Sequence, residues 1–378
     1  KICHTTDDAA ASVVSPCLRG SGALTSLNVS NNNLGEWVLP DGWVEDTHLF
    51  GDWQKGYKHN DGRRQREHPG TPPAFAIANA FPAMVSLTKC DVSNNFLQAS
   101  GGKALAAGLN GNQAITELNI ASNYLGIQGR PSNSDMSGRP SNSDMSGVIA
   151  IGDAIPTMGA LSKLIFGGDS YYDSDLTKKV TPKPATLKVG MTEADLSNKN
   201  LGVGGAVIVS AWILHRDKGA LMSLDISNNN IGQLSRGKLK EKPSWWKESD
   251  HGVHGSSYDH YEPGPPEGAI AIANAIKTNG ALTSLDISNN NLGGISDLIK
   301  PPRKGLKVGD LVDGKPIVEI YSGGDIKVQD LSGVIAIGDA IPTMGALSKL
   351  IFGGDSYYDH DLIKKVTPKP VTLEVGMT

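Results

Sequence analysis

A thirteen-residue stretch recurs along the chain and limits what the chain can fold into. It reads ALTSLDISNNNLG at residues 281–293, ALTSLNVSNNNLG at 23–35, ALMSLDISNNNIG at 220–232 and AITELNIASNYLG at 114–126. Apolar residues and one asparagine follow the spacing L-x-x-L-x-L-x-x-N-x-L. The alternation in the middle of this pattern is typical of a short strand with one buried face. The recurrence predicts an array of repeating units rather than one large core.

A second pattern accompanies most of these strands, a glycine followed by apolar residues at steps of four. Residues four apart share one face of a helix, so each such segment is predicted to form a helix that packs on the strand layer. The glycines of this pattern are Gly101, Gly147, Gly204, Gly268 and Gly333, and Gly204 is expected to stand at a helix start.

Strand and helix together resemble the leucine-rich repeat, in its ribonuclease-inhibitor-like subclass. The resemblance implies an α/β fold, a solenoid or horseshoe with parallel inner strands, outer helices, and inserted loops or β-hairpins. Residues 1–22 are expected to form an N-terminal cap, and residues 23–378 an array of about eight repeat units. Insertions that interrupt the array are predicted at residues 36–72, 127–146, 167–191, 233–266, 294–332 and 353–377.

In that family the asparagine of each repeat unit points inward and bonds the backbone of neighbouring turns, since buried polar groups require partners. The matching residues here are Asn32, Asn95, Asn123, Asn229 and Asn290. Three repeat units depart from the pattern, with Asp169, Lys199 and Asp355 at this position. These units are expected to be looser or differently shaped. The unit that contains Lys199 could use Asn198 or Asn200 instead.

Two long segments of the chain are nearly identical, and we call residues 147–192 the first copy and residues 333–378 the second copy. They differ at four positions, Ser174/His360, Thr177/Ile363, Ala185/Val371 and Lys188/Glu374. Such similarity suggests an internal duplication. The first copy continues into EADLSNKNLG and the second does not. An array end without a covering unit is predicted to be a partner surface or a solubility liability.

Charge and motifs exclude several function classes. The net charge is −4, which gives no electrostatic argument for binding nucleic acid or an anionic membrane. No apolar run approaches the roughly 20 residues that span a bilayer, so membrane insertion is not expected. Residues 202–207 lack the third glycine of a dinucleotide-binding loop, and we find no phosphate-loop, zinc-protease or serine-hydrolase motif. We therefore predict no enzymatic activity and no cofactor.

Histidines and acids cluster in two of the insertions and raise the alternative of a transition-metal site. Their spacing is not that of a known helix-borne or finger-type site, and no cysteine accompanies them. A solvated loop is the favoured interpretation, so no metal site is predicted. The residues are His48, His59, Asp61 and His68 in one insertion, and Asp250, His251, His254, Asp259 and His260 in the other.

Large aromatic residues are concentrated in the insertions, whereas the exposed strand positions are polar. Asp225 is expected near Glu193 and Asp195, which gives a mildly acidic patch. Binding energy at interfaces concentrates in Trp, Tyr and Arg. The insertions should line one edge of the horseshoe, and this insertion edge is predicted to contact partners. The equally weighted alternative is that these aromatics form small cores that hold the loops. The aromatics are Trp37, Trp43, Trp53, Tyr57, Tyr171, Tyr172, Trp245, Trp246, Tyr258, Tyr261, Tyr357 and Tyr358.

The sequence thus predicts a non-enzymatic scaffold or recognition module for another protein, as a fragment or subunit of a larger assembly. The alternative is a receptor-like binder of a small ligand or glycan, in which the insertion aromatics stack on sugar rings. The resemblance favours the cytoplasm. A disulfide between Cys3 and Cys17 would instead indicate secretion, while Cys90 occupies an apolar position of the repeat.

Overall fold

A computed structural model describes most of the repeat strands and helices. The described residues are 22–32, 34, 43–46, 56–59, 64–65, 73–126, 144–172, 178–215, 220–232, 236–239, 261–263, 266–294, 305–312, 314–321, 324–355, 357–358, 365–366 and 368–374. The chain divides into two compact lobes. Lobe 1 comprises residues 1–129 and 146–165, and lobe 2 comprises residues 130–145 and 166–378.

Lobe 1 combines a parallel sheet with helices. Its strands are β1 (Ser26–Asn28), β2 (Trp43–Asp46), β3 (Gly56–His59), β4 (Arg64–Gln65), β5 (Lys89–Asp91), β6 (Glu117–Asn119) and β7 (Lys163–Phe166). Strands β1, β5, β6 and β7 pair in parallel in that order, and β2, β3 and β4 form a separate antiparallel sheet. The helices are α1 (Pro73–Ala78), α2 (Gln98–Leu109) and α3 (Ser146–Ala154).

The core of lobe 1 is built from the middle residue of each parallel strand. Leu27, Cys90, Leu118 and Leu164 are in register and all are buried, while their strand neighbours are more exposed. Burial, together with the charge of Asp91, raises the pKa of the Cys90 thiol to about 12. The thiol is therefore neutral and packs as a small apolar side chain.

Lobe 2 repeats the arrangement over a longer stretch. Its strands are β8 (Tyr171–Tyr172), β9 (Lys179–Val180), β10 (Ala185–Lys188), β11 (Glu193–Asp195), β12 (Ser223–Asp225), β13 (Arg236–Leu239), β14 (Tyr261–Pro263), β15 (Ser284–Asp286), β16 (Leu311–Val312), β17 (Lys315–Ile320), β18 (Ile326–Val328), β19 (Lys349–Phe352), β20 (Tyr357–Tyr358), β21 (Lys365–Val366) and β22 (Val371–Glu374). Its helices are α4 (Gly202–His215), α5 (Glu267–Ile276) and α6 (Ser332–Ala340).

The main sheet of lobe 2 has the order β11–β12–β15–β19–β22. The first four strands are parallel, and β22 pairs with β19 in the antiparallel direction. Strands β16, β17 and β18 form a small antiparallel sheet with its own core of Val312, Ile317, Ile326 and Val328. The result is a mixed α/β fold in which parallel strands alternate with helices.

Each of the five helices that contain the pattern glycine begins before it. Helices α3, α5 and α6 begin one residue earlier, α4 begins at Gly202, two residues before Gly204, and α2 begins at Gln98, three residues before Gly101. Gly202 has a φ of +57°, a conformation that glycine adopts without steric cost. Among the described residues, no helix is both long and apolar enough to cross a membrane.

Candidate recognition surface

A row of buried asparagines connects successive strands from inside the fold. The Nδ2 of Asn95 donates to the carbonyl oxygens of Val29 and Val92, each at 2.8 Å. Its Oδ1 accepts a bond of 2.7 Å from the backbone N–H of Asn32. Asn95 is fully buried, so its amide replaces water for backbone groups that the short strands leave free.

The same arrangement recurs in lobe 2. The Nδ2 of Asn229 donates to the carbonyl oxygens of Leu196 and Ile226, at 2.8 and 2.9 Å. The Oδ1 of Asn290 accepts a 2.9 Å bond from the backbone N–H of Asn229. The repeat unit that contains Lys199 is joined to this row by Asn229, whose Oδ1 accepts from the Lys199 N–H at 3.0 Å.

Asp355 takes over the acceptor role of an asparagine at the end of this row. Its Oδ1 accepts a 2.6 Å bond from the backbone N–H of Asn291. Burial raises the pKa of the Asp355 carboxyl, and the bond from Asn291 acts in the opposite direction. The repeat unit is thus joined to its neighbour through a carboxylate that the fold partly desolvates.

The asparagines on either side of the buried one have a different role. Asn228, Asn230, Asn289 and Asn291 all have φ values between +53° and +57°. Asparagine tolerates this left-handed conformation better than most residues because its short side chain can bond locally. In the run N-N-N, the two outer asparagines therefore adopt left-handed backbone conformations, and the middle one supplies the buried amide.

On the solvent side of the strands, serines hold aspartates in fixed positions. The Oδ1 of Asp225 accepts bonds from the backbone N–H of Ser227 at 2.9 Å and from its Oγ at 2.7 Å. Asp286 is held in the same way by Ser288, at 2.9 and 2.7 Å. These paired bonds restrict the carboxylates to one orientation on the strand surface.

Asp195 completes this set at the start of the sheet. Its Oδ1 accepts bonds from the N–H and Oγ of Ser197, at 3.0 and 2.7 Å. These hydrogen bonds lower the pKa of the Asp195 carboxyl, because they stabilise its charged form. The signal for this arrangement is present in the sequence as D-x-S, which begins at the last residue of each of these strands, but the L-x-x-L-x-L pattern does not include it.

The three aspartates that serines hold in this way, which we call braced aspartates, lie in one row across the sheet of lobe 2. Asp195, Asp225 and Asp286 are in register on adjacent parallel strands, and the row continues at Ile351. Neighbouring strands lie about 4.8 Å apart, so the row places three carboxylates at regular intervals. We call this row the aspartate row.

The strand face of lobe 1 has a different charge pattern. The Nζ of Lys163 lies 2.6 Å from Oε1 of Glu117, and the Nζ of Lys89 lies 3.8 Å from its Oε2. Asn119 donates to Oδ2 of Asp91 at 3.1 Å. In lobe 1, two lysines flank Glu117, so this strand face carries both positive and negative charges, whereas the aspartate row carries only negative ones.

The structure places seven of the twelve candidate partner-binding aromatics on short strands outside the parallel sheets. Strand pairing sets Trp43 opposite His59 and Tyr57 opposite Gln65. Tyr171 and Tyr172 form β8, Tyr261 begins β14, and Tyr357 and Tyr358 form β20. The other five, Trp37, Trp53, Trp245, Trp246 and Tyr258, lie outside the described residues.

Most of the histidine clusters fall outside the described part of the chain. His59 lies in β3, whereas His48, His68, His251, His254 and His260 lie outside the described residues, as do Cys3 and Cys17. Within the described ranges, no group of three His, Cys, Asp or Glu side chains is arranged to hold a metal ion.

Comparison with known proteins bears on β15 and the turn that follows it. No curated protein matches the chain. The family model described as Leucine Rich Repeat matches residues 281–301. This range contains Asp286, Ser288 and Asn290, so one match covers both a braced aspartate and a buried asparagine. The chain therefore contains a leucine-rich repeat in lobe 2.

Proposed function

We propose that the chain is a non-enzymatic module that recognises another protein. The observation that carries this proposal is the strand face of lobe 2, where Asp195, Asp225 and Asp286 are held in register by their serines. Side chains fixed before binding lose little conformational entropy in a complex. Repeat proteins use such stacked strands as extended binding surfaces, and the leucine-rich repeat match supports this use.

The insertion aromatics are proposed to supply most of the binding energy. Aromatic side chains bury large areas at interfaces and have few rotatable bonds. The polar strand face then fixes the orientation of the partner, because braced carboxylates favour only a partner with complementary donors. The twelve aromatics named above are the proposed contact residues.

The test is affinity capture with the full chain as bait and quantitative identification of the retained proteins. One variant changes Trp37, Trp43, Trp245 and Trp246 to Ala, and a matched variant changes Asp225 and Asp286 to Asn. We expect the tryptophan variant to lose most of the specific capture and the asparagine variant to lose less. Full retention by the tryptophan variant would show that the insertion edge is not the contact surface.

A glycan array probed with the full chain and the same variants tests the alternative function, which is glycan binding. Saturable binding of defined glycans by the full chain, together with no specific protein capture, would contradict a protein-recognition role. Specific protein capture with no glycan binding is the expected result.

A further inference from the structure

The two nearly identical copies are buried to different extents. In the first copy, Ala185 is 1% exposed and Leu187 is 3% exposed. At the matching positions of the second copy, Val371 is 48% exposed and Leu373 is 51% exposed. Because the sequences around these positions are almost the same, the difference comes from what lies against each copy.

Lobe 2 shows what lies against Leu187. Lys188 and Met191 of the first copy line one small cavity with it, and the rest of the lining comes from the repeat unit that follows: Ala194 in β11, Val209, Trp212 and Ile213 in α4, Leu221, and Leu224 in β12. All six residues from the following unit are buried. The apolar face of β10 is therefore covered by a strand and a helix that carries a tryptophan.

The corresponding face of the second copy is continuous with the core. Strand β22 pairs with β19 so that Leu373 lies opposite Leu350 and Val371 lies opposite Phe352. Directly opposite residues of an antiparallel pair point to the same face of the sheet. The buried Leu350 and the exposed Leu373 thus belong to one apolar face, which extends outward along β22.

We propose that the apolar face of β22 is a docking surface for a strand–helix repeat unit of the kind formed by residues 193–224, with a large apolar helix residue placed over Leu373. The first copy supplies the template, because there the matching leucine is covered by such a unit. This inference goes beyond the proposed function, since it concerns neither the aspartate row nor the insertion aromatics.

Two of the four differences between the copies lie on this strand and define the partner further. Val371 replaces Ala185, and Glu374 replaces Lys188. Valine is larger than alanine, so the partner must leave more room over Val371 than the first copy leaves over the buried Ala185. The reversed charge at Glu374 favours a partner with a basic residue near this end of the strand.

The experiment uses the full chain extended after Thr378 by a second copy of residues 193–232, which is the connection that the first copy has. Hydrogen exchange at residues 371–374 is followed by mass spectrometry on peptides that also contain Ile363, which is Thr177 in the first copy, so that the two copies stay distinguishable in every variant. We expect the added unit to slow exchange there by at least about tenfold. The V371A/E374K form of the extended chain restores the first-copy surface and is expected to be slowed further.

Controls separate docking from a general change in stability. In the extended chain, Leu373→Asp should abolish the slowing, whereas Thr372→Asp, on the opposite face of the same strand, should preserve it. Without the extension, Leu373→Asp should lower the unfolding temperature less than it does in the extended chain, because Leu373 is half exposed before a unit docks.

Two results would overturn the proposal. The first is unchanged exchange at residues 371–374 in both extended chains, which would mean that the face does not accept such a unit. The second is self-association of the unextended chain that Leu373→Asp abolishes in sedimentation. That result would make a second copy of this chain the occupant.

Discussion

At the scale of single residues, the fold depends on side-chain amides that replace strand length. The parallel strands β1, β5, β6, β11, β12 and β15 have three residues each, so few backbone groups are satisfied within the sheet. The buried asparagines supply the missing partners. Their contribution should therefore exceed that of the exposed asparagines beside them.

We predict that Asn95→Ala destabilises the protein strongly and that Asn94→Gly does not. Asn95→Ala removes the hydrogen bonds that the Asn95 amide makes to the carbonyl oxygens of Val29 and Val92 and accepts from the N–H of Asn32. The two carbonyl oxygens each keep one bond, from Nδ2 of Asn32 and Nδ2 of Asn123 respectively. A buried group left unsatisfied costs about 1–3 kcal/mol, so a loss of about 1–3 kcal/mol in the free energy of unfolding is expected. Denaturant titration followed by circular dichroism measures it.

Asn94→Gly is the matched control one residue away. Asn94 has a φ of +58°, which glycine adopts without strain. The hydrogen bond from its Nδ2 to Oδ1 of Asn31 is exposed. The change should alter the free energy of unfolding by about 0.5 kcal/mol or less. Similar losses for the two variants would contradict a special role for the buried amide.

Asp355 leads to a prediction about pH. Folding raises the pKa of its carboxyl above the ordinary aspartate value of 3.8, so the folded state holds the carboxyl proton more tightly than the unfolded state does. Its contribution to the free energy of unfolding is then largest below pH 3.8 and falls as pH rises towards the raised pKa. Asp355→Asn keeps the acceptor for Asn291 without the buried charge.

We therefore expect Asp355→Asn to raise the melting temperature at pH 7, by the equivalent of about 1 kcal/mol. The gain should shrink at pH 3.5, below the ordinary aspartate pKa of 3.8, where the parent carboxyl is mostly protonated in both states. Thermal unfolding at both pH values checks this, with the exposed Asp339→Asn as the control. A lower melting temperature at pH 7 would show that the charge of Asp355 stabilises the fold.

At the scale of secondary-structure elements, glycine allows adjacent helices to approach closely. A Cβ on Gly268 would lie 2.5 Å from the carbonyl oxygen of Ile231 and 3.0 Å from the Cα of Val203. Both are backbone atoms, so they cannot move aside as the end of a flexible side chain could. Helix α5 can therefore pack against α4 only if its second residue lacks a side chain.

We predict that Gly268→Ala destabilises the protein although alanine is the better helix former. The gain in helix propensity is about 1 kcal/mol, whereas overpacking against backbone costs about 1–3 kcal/mol. Gly280→Ala is the control, because a Cβ there meets nothing within 4 Å. Chemical unfolding should show a loss for Gly268→Ala alone, and increased stability of that variant would contradict the close approach.

The sequence predicts these elements well where the signal is local. Alternation at Leu282, Leu285 and Ile287 is enough to place β15, because the direction of a strand side chain depends on its own position in the pleat. The role of Asp355 could not be predicted in this way, since it depends on a bond to Asn291, 64 residues earlier. The aspartate row combines both kinds of signal: each brace is local, but the register of the row depends on strand pairing.

At the scale of the whole molecule, the two copies show why sequence alone does not determine burial. Leu187 and Leu373 have nearly identical sequence surroundings, and one is buried while the other is half exposed. Burial is a property of the packed neighbour. The helices of the copies differ in the same direction, since Val148 is 4% exposed and Val334 is 45% exposed.

The repeating architecture predicts that damage to one repeat unit spreads mainly to adjacent units. In repeat proteins, stability is approximately a sum of local terms and nearest-neighbour terms. Asn95 bonds only groups in lobe 1 among its described contacts, and Asn229 bonds only groups in lobe 2. The same substitution at these two positions should therefore expose different parts of the chain.

We predict that Asn95→Ala accelerates hydrogen exchange most at residues 87–125 and that Asn229→Ala does so most at residues 193–232. Local opening requires only the free energy of the affected region, so the increase should be at least about tenfold there and smaller elsewhere. Hydrogen exchange of both variants and the parent, measured on the same peptides under native conditions, provides the comparison. Uniform acceleration along the whole chain in either variant would instead show that the molecule opens as one cooperative body, and the nearest-neighbour description would then be wrong for this protein.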